Sequence, residues 1–213
     1  MIFEQFRKIG IIPVIAIDSP KNSAPLAETL SKNGLPCAEI TFRTPTAEES
    51  IRIMSREFPD MLIGAGTVLT IEQADRAMNA GAKFIVSPGI NPKIVQYCID
   101  NCIPVTPGTV TPTEMETALE LGLEVVKFFP AEPAGGLAMI KAAAEDFTEL
   151  KFMPSGGINA VNVREYLSYD RVIACGGNWF ADSDMISSGE WDKIALLVKE
   201  AANIVKEVRS VKH

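Results

Sequence analysis

Along the chain, short runs rich in β-branched and aromatic residues alternate with longer stretches whose apolar positions recur at helical spacing. Strands are predicted at 11–17, 37–43, 62–68, 84–88, 104–109, 125–130, 151–155 and 172–176. Helices are predicted between and after them, at 23–33, 46–58, 71–80, 92–101, 112–121, 136–147, 159–167 and 190–208. Thr46-Ala-Glu-Glu and Thr70-Ile-Glu-Gln read as helix starts, and Gly34, Gly81 and Gly122 as helix stops. Strand starts fall roughly 20 to 26 residues apart, about one compact strand–helix unit each. Eight such units fill the chain behind one short helix at 3–9. Strict alternation predicts a parallel sheet, and eight units are the number that closes into a barrel. The expectation is therefore an α/β fold: one TIM (β/α)8 barrel domain over residues 1–213 with a short N-terminal helix. An open doubly wound sheet shares the alternation, but the first strand leads into Ile17-Asp18-Ser19-Pro20 and not a glycine fingerprint.

The two-residue period of strands then exposes polar side chains where a core is expected. In the second strand Ala38, Ile40 and Phe42 share one face, and Cys37, Glu39, Thr41 and Arg43 the other. The apolar face suits the helix layer, which turns Glu39, Thr41 and Arg43 inward. In the sixth, Lys127 shares the inward face with Val125 and Phe129. Thr67 and Ser155 are expected to point inward at the ends of the third and seventh strands. Burying such charges costs several kcal/mol unless they pair or work. Arg43, Thr67, Lys127 and Ser155 all fall toward the C-terminal ends of strands, where barrel active sites are built.

Composition narrows the chemistry. Of 213 residues 47% are hydrophobic and 22% charged, a globular balance, and the net charge of −7 argues against nucleic acid or an anionic membrane as partner. The apolar run at 9–17 is broken by Gly10 and Pro13 and is too short to span a bilayer, so a soluble cytoplasmic protein is expected. Cys37, Cys98, Cys102 and Cys175 fit no metal-knuckle spacing; Cys98 and Cys102 could share a helix face, but buried core thiols are the favoured reading. The one histidine is His213, which disfavours histidine-based triads and metal sites. Proton chemistry must then fall to carboxylates, lysine, tyrosine or water.

Lysine with a carboxylate and no histidine points to carbonyl chemistry. Loss of hydration disfavours an ammonium ion, and a neutral amine in an apolar wall attacks carbonyls to form a Schiff base. Glu39 would move protons for it, and Arg43 offers a fork for a substrate carboxylate. Ser155-Gly156-Gly157 and Gly176-Gly177-Asn178 close the seventh and eighth strands, where many barrels hold a phosphate on backbone N–H groups. Trp179 and Phe180 are read as packing under the last of these loops, and Lys151 as a solvated residue at the opposite rim.

Several segments resemble the 2-keto-3-deoxy-6-phosphogluconate (KDPG) aldolase family, whose members include enzymes acting on 4-hydroxy-2-oxoglutarate (KHG). They are Glu39-Ile-Thr-Phe-Arg43, Gly64-Ala-Gly-Thr-Val68, Ser87-Pro-Gly89, Pro107-Gly108, Lys127-Phe-Phe-Pro-Ala-Glu132, Pro154-Ser-Gly-Gly-Ile158 and Gly176-Gly-Asn-Trp179. The resemblance implies a class I Schiff-base aldolase of carbohydrate metabolism, of the Entner–Doudoroff kind. It implies a TIM barrel, no metal and no other cofactor, a keto-acid phosphate substrate, and a homotrimer. Reversible cleavage of KDPG to pyruvate and glyceraldehyde 3-phosphate is the implied reaction, with KHG to pyruvate and glyoxylate beside it. Carried over by residue, Lys127 is the Schiff-base lysine and Glu39 the general acid/base. Arg43 and Thr67 hold the pyruvate carboxylate, while Pro88 and Phe129 shape the pocket. Ser155, Gly156, Gly157, Gly177 and Asn178 complete the substrate site. Asn178 departs from the serine of close relatives, keeping a donor but adding bulk, and Glu132 is read as structural.

Two other readings use the same residues. One is a phosphate-binding barrel isomerase or synthase with Glu39 and Lys127 as acid and base and no covalent intermediate. The other is a small-molecule binding barrel in which they form a structural pair.

Overall fold

The computed structural model describes residues 2–210, so His213 lies outside the described residues. The chain begins with α1 (Ile2–Ile9), β1 (Ile11–Ile15), α2 (Ser23–Lys32), β2 (Cys37–Thr41), α3 (Ala47–Glu57), β3 (Leu62–Gly66) and α4 (Ile71–Asn79). Next come β4 (Ile85–Val86), α5 (Pro92–Asp100), β5 (Val105–Thr106), β6 (Gly108–Thr109), α6 (Pro112–Glu120), β7 (Val125–Phe128) and α7 (Gly136–Asp146). The chain continues through β8 (Lys151–Pro154), α8 (Val163–Ser168), β9 (Cys175–Gly177), α9 (Ser183–Ser188) and α10 (Trp191–Ser210). Every strand pairing is parallel, as the alternation requires.

The ladders divide into a curled six-stranded sheet, ordered β5-β4-β3-β2-β1-β9, and a three-stranded sheet, β6-β7-β8. One continuous eight-stranded ladder was expected. The predicted strand at 104–109 is broken at Pro107, which has no N–H to give to a ladder and leaves β5 and β6 on either side. The predicted strand at 172–176 is also shortened: Val172 makes an isolated bridge to Phe152, and the ladder proper starts at Cys175. A second isolated bridge joins Ser155 to Gly176.

Two apolar layers hold these elements. One cluster gathers Phe6, Ile12, Cys37, Leu62, Phe84, Val86, Val125, Met153, Ile173 and Ala174, drawn from α1 and from the inward faces near the strand starts. Phe6 of α1 meets Phe84 edge-on at 4.9 Å, so the first helix closes this end of the sheet; burying that one ring is worth about 1.5–3 kcal/mol. The other, larger cluster lies between strands and helices and holds Ala38, Ile40, Val126 and Phe128. In α10 the buried stripe Ile194, Val198, Ala201, Val205 and Val208 follows helical spacing and packs into the same cluster.

Local signals fared unevenly. Thr70 caps α4 by accepting from the Gln73 N–H, and Gln73 Oε1 accepts in turn from the Leu69 N–H. Thr46 does not cap α3: its backbone is already helical, and its hydroxyl donates to the Ile17 carbonyl. The helix expected at 159–167 starts at Val163, because Asn159 and Asn162 spend their side chains on the preceding turn. Cys98 is buried on α5, whereas Cys102 lies beyond its end, exposed and in a left-handed conformation, so the two share no helix face.

Candidate active site

Inward-facing positions repeat every second residue, so the next side chains above Cys37 and Val125 of the inner cluster are Glu39 and Lys127. Register brings the strands together, with Glu39 level with Val14 and Gly64, and Lys127 level with Gly108 and Met153. Across the interior the Lys127 Nζ donates to Glu39 Oε1 at 3.1 Å. Both are buried, at 7% and 2% exposure. The Lys127 Nζ also stands 5.3 Å from the centre of the Phe129 ring. Room for the carboxylate comes from Gly66, where a Cβ would fall 2.1 Å from Glu39 Oε1. Thr41, on the same face, is buried and donates to the Ile15 carbonyl at 3.1 Å, which makes it a structural neighbour of the pair.

Above the pair opens a cleft of about 110 Å³ lined by Val14, Arg43, Lys127, Phe129, Ser155, Gly156, Gly157, Ile158, Gly176, Gly177 and Asn178. No carboxylate is in this lining, and two cations are, although the chain as a whole carries −7. Such a cleft favours anions. Arg43 is exposed and forms no ion pair among the described residues, which leaves its guanidinium open to a ligand.

Three carbonyls of the turn after β8 are bonded on its outer side. Ser155 O accepts from the Ala131 N–H at 2.8 Å and Gly156 O from the Glu132 N–H at 3.0 Å. Gly157 O accepts from Asn162 Nδ2 at 3.0 Å and Asn159 Nδ2 at 3.2 Å. In a trans peptide the following N–H points the opposite way. The Gly156 N–H faces the Gly176 carbonyl across the Ser155–Gly176 bridge, whereas the N–H groups of Gly157 and Ile158 are turned toward the cleft. Positive φ at Gly156 (95°) and Gly157 (83°) makes this turn possible. Two adjacent donors facing the cleft form an anion cradle.

The structure thus brings Arg43, Phe129, Ser155, Gly156, Gly157, Gly177 and Asn178 around Lys127, with Glu39 beneath it. Besides Glu39, two expected residues lie outside the lining. β3 ends at Gly66, so Thr67 follows the strand, half-buried, with a left-handed φ of 56°. Pro88 lines a neighbouring cleft with Val68, Ser87, Ile90 and Ile94. Conversely, Val14 and Ile158 line the site without having been assigned to it, and so does Gly176, which was named with its loop but not as a substrate contact. The signal for Val14 was present, since it follows Ile12 of the inner cluster by two residues.

Glu132 is held beside the cradle by the Tyr166 hydroxyl, which donates to Glu132 Oε1. Burial first, then the Glu132 carboxylate, push the Tyr166 hydroxyl well above its ordinary range and keep it a donor. Phe180 is buried and Trp179 half-buried, meeting edge-on at 4.7 Å under the Gly177 loop, and Lys151 is exposed at the other end of its strand. Among the described residues no group of three or more His, Cys, Asp or Glu side chains is placed to hold a metal ion, and no helix is long and apolar enough to cross a membrane.

A buried amine beside a carboxylate, under an anion cradle at the carboxyl ends of parallel strands, is the equipment of an enzyme that works on anionic carbonyl compounds. The chain belongs to the KDPG and KHG aldolase family, whose model matches residues 2–197, and it is a carbon–carbon lyase of the aldolase class. It is 50% identical over 205 residues to the 2-dehydro-3-deoxy-phosphogluconate aldolase of Haemophilus influenzae, covering 96% of this chain and 97% of that one. The enzyme of the same name from Treponema pallidum is 45% identical over 204 residues, again covering 96% and 97%. Among solved structures, the KDPG aldolase of Legionella pneumophila with pyruvate captured as a covalent carbinolamine superposes with a TM-score of 0.90. It is 38% identical, and the match covers 93% of this chain and 97% of that one.

Proposed function

We propose that this chain is a class I aldolase that reversibly cleaves KDPG to pyruvate and glyceraldehyde 3-phosphate, and KHG to pyruvate and glyoxylate. The observation that carries the reading is the buried Lys127–Glu39 contact at 3.1 Å beneath a cleft lined by cations and free N–H groups. The captured carbinolamine of the Legionella relative supports the covalent route.

The Glu39 carboxylate takes the proton of the Lys127 ammonium, and the freed amine adds to the C2 ketone. The carbinolamine loses water, with Glu39 returning the proton to the departing hydroxyl, and a protonated imine remains. Glu39 then removes the proton from the C4 hydroxyl. The C3–C4 bond breaks, its electron pair passes to the imine nitrogen, and the aldehyde leaves. Protonation of the enamine at C3 and hydrolysis of the imine release pyruvate and restore Lys127.

Arg43 grips the substrate carboxylate through its planar fork, and Phe129 walls the reacting carbons. The cradle of Gly157 and Ile158, with Ser155, Gly156, Gly177 and Asn178 around it, takes the phosphate. Thr67 assists at the carboxylate and Pro88 borders the pocket. What supports Thr67 is its left-handed backbone, a strain that a β-branched residue keeps where position matters.

The fold behind this site is one domain in which both sheets work as a single closed eight-stranded barrel. Support comes from the bridges Phe152–Val172 and Ser155–Gly176 at one seam. At the other, β5 and β6 flank Pro107, whose carbonyl accepts from the Lys127 N–H at 2.9 Å. A homotrimer in the cytoplasm is the setting that the family resemblance favours.

The test is borohydride reduction in the presence of pyruvate, followed by intact mass and peptide mapping. A reduced adduct on Lys127 is expected. Absence of an adduct on any lysine, with pyruvate in excess, would sink the aldolase mechanism.

A further inference from the structure

The cradle for the phosphate is made of backbone, so its shape depends on what braces it from behind. The outer brace runs through Glu132. Its N–H donates to Gly156 O at 3.0 Å, and its side chain lies where Gly157 would carry one: a Cβ at Gly157 would meet Glu132 Cβ and Cγ at 2.6 Å. Glu132 is nonetheless exposed, and nothing in its own loop fixes the carboxylate. Its anchor is the Tyr166 hydroxyl, brought from α8 on a ring that is 2% exposed. Asn162 and Asn159 hold the last carbonyl of the turn from the other side.

From this we propose that Tyr166 and Glu132 are positioning residues for the phosphate end of the substrate. The proposal rests on the aldolase reading and extends it. Tyr166 holds Glu132 flat against Gly157, and Glu132 holds the turn in the conformation that presents the Gly157 and Ile158 N–H groups together. Neither residue lines the cleft, so neither touches substrate. The effect belongs to one end of the substrate. The Schiff-base end, built on β2 and β7, does not depend on it.

The experiment compares Tyr166→Phe, Glu132→Ala and Glu132→Gln with the wild type on KDPG and on unphosphorylated KHG, with borohydride trapping of pyruvate alongside. Tyr166→Phe and Glu132→Ala are expected to raise KM for KDPG about tenfold, the scale of one hydrogen bond to a charged group. Their kcat, their kcat/KM for KHG and the trapping at Lys127 stay within about twofold of wild type, inside the scatter of a surface substitution. Glu132→Gln, which keeps a carbonyl for the Tyr166 hydroxyl, restores most of the KDPG affinity. Asn162→Ala, which loosens the same turn from its other side, reproduces the split should the Tyr166 variant fail to fold.

Equal losses on both substrates, or no loss on either, overturn the proposal. The wild type tests the reading beneath it. If KDPG has no advantage over KHG and inorganic phosphate does not compete with it, the phosphate cradle itself is wrong. If that advantage is present and the variants leave it intact, the cradle stands and the positioning role falls.

Discussion

Adding one methyl group at Gly66 tests whether Glu39 works where the structure holds it. A Cβ there would lie 2.1 Å from Glu39 Oε1, 2.6 Å from its Cγ and 2.7 Å from its Cδ. Ordinary contact begins at 3.4 Å, so the shortfall is about 1.3 Å. The backbone cannot yield it. Gly66 is in register with Thr41, and its carbonyl accepts from the Phe42 N–H at 2.8 Å. The carboxylate must therefore swing away from Lys127. Misplacing a catalytic group by about 1 Å costs on the order of 100-fold in rate. Overpacking a filled interior costs about 1–3 kcal/mol, and a chain of this size loses roughly 2–4 °C in Tm per kcal/mol. Steady-state pyruvate release and a thermal melt of Gly66→Ala measure both, with borohydride trapping as a third readout. Gly89→Ala is the control, because a Cβ at Gly89 meets nothing within 4 Å. A Gly66→Ala enzyme with wild-type kcat and melting temperature would refute the placement of Glu39 in the reaction.

Other expectations are narrower. Arg43→Ala should lower kcat/KM by about 10- to 100-fold, the cost of a lost charge-assisted contact, with the melting temperature unchanged because Arg43 is exposed and unpaired among the described residues; a parallel fall in Tm counts against a ligand-binding role. At Glu114, burial pushes the carboxyl up, but the N–H groups of Thr111 and Val110 and the Thr111 hydroxyl outweigh it and hold the group below 4.5. Its contribution is thus present above the ordinary value and lost as pH falls through the depressed one. Glu114→Gln should cost under about 1 kcal/mol at pH 7 and nothing once the carboxyl is protonated, read from urea midpoints across pH. Burial pushes the Cys37 and Cys175 thiols well up and Cys98 up to about 11. Native alkylation should therefore label exposed Cys102 first and the other three only on unfolding; rapid labelling of Cys175 would show that the interior beside β9 opens.

What the sequence made legible follows from periodicity. Two-residue alternation separated Glu39 and Lys127 from Ala38, Ile40, Val126 and Phe128, and the structure assigns these groups to opposite faces. Helical spacing found the buried stripe of α10. Missing from that reading were features set by contacts distant in sequence. Pro107 interrupts a strand because a neighbour needs an N–H it lacks. Thr46 gives up a cap because Ile17, in the loop after β1, offers its carbonyl. The need for Gly66 to be small comes from Glu39 on the adjacent strand, and the hydrogen-bond partner of Glu132 comes from Tyr166 on α8. Local patterns carry faces and elements; they do not carry which side chain fills which gap.

The ion pair at the centre can be weighed on the same terms. A lysine buried for structure alone is expected to have its three donors satisfied, since each missing partner adds to the cost of desolvation. Lys127 makes one hydrogen bond, to Glu39, and otherwise faces a ring and the cleft. The Gly157 and Ile158 N–H groups are turned toward the same cleft. Donors left open at both ends of one cavity, in a chain whose net charge is −7, leave the compensating acceptors to a ligand. A keto-acid phosphate, anionic at both ends, supplies acceptors at both ends, with its carbonyl between them in reach of the amine. Lys127→Met separates the structural from the catalytic account. It removes the charge while filling the volume, and it should abolish turnover and trapping while the fold survives. Glu39 is then left without its partner, at a cost of about 3–5 kcal/mol unless it takes up a proton. A structural pair would instead leave activity in any variant that still folds.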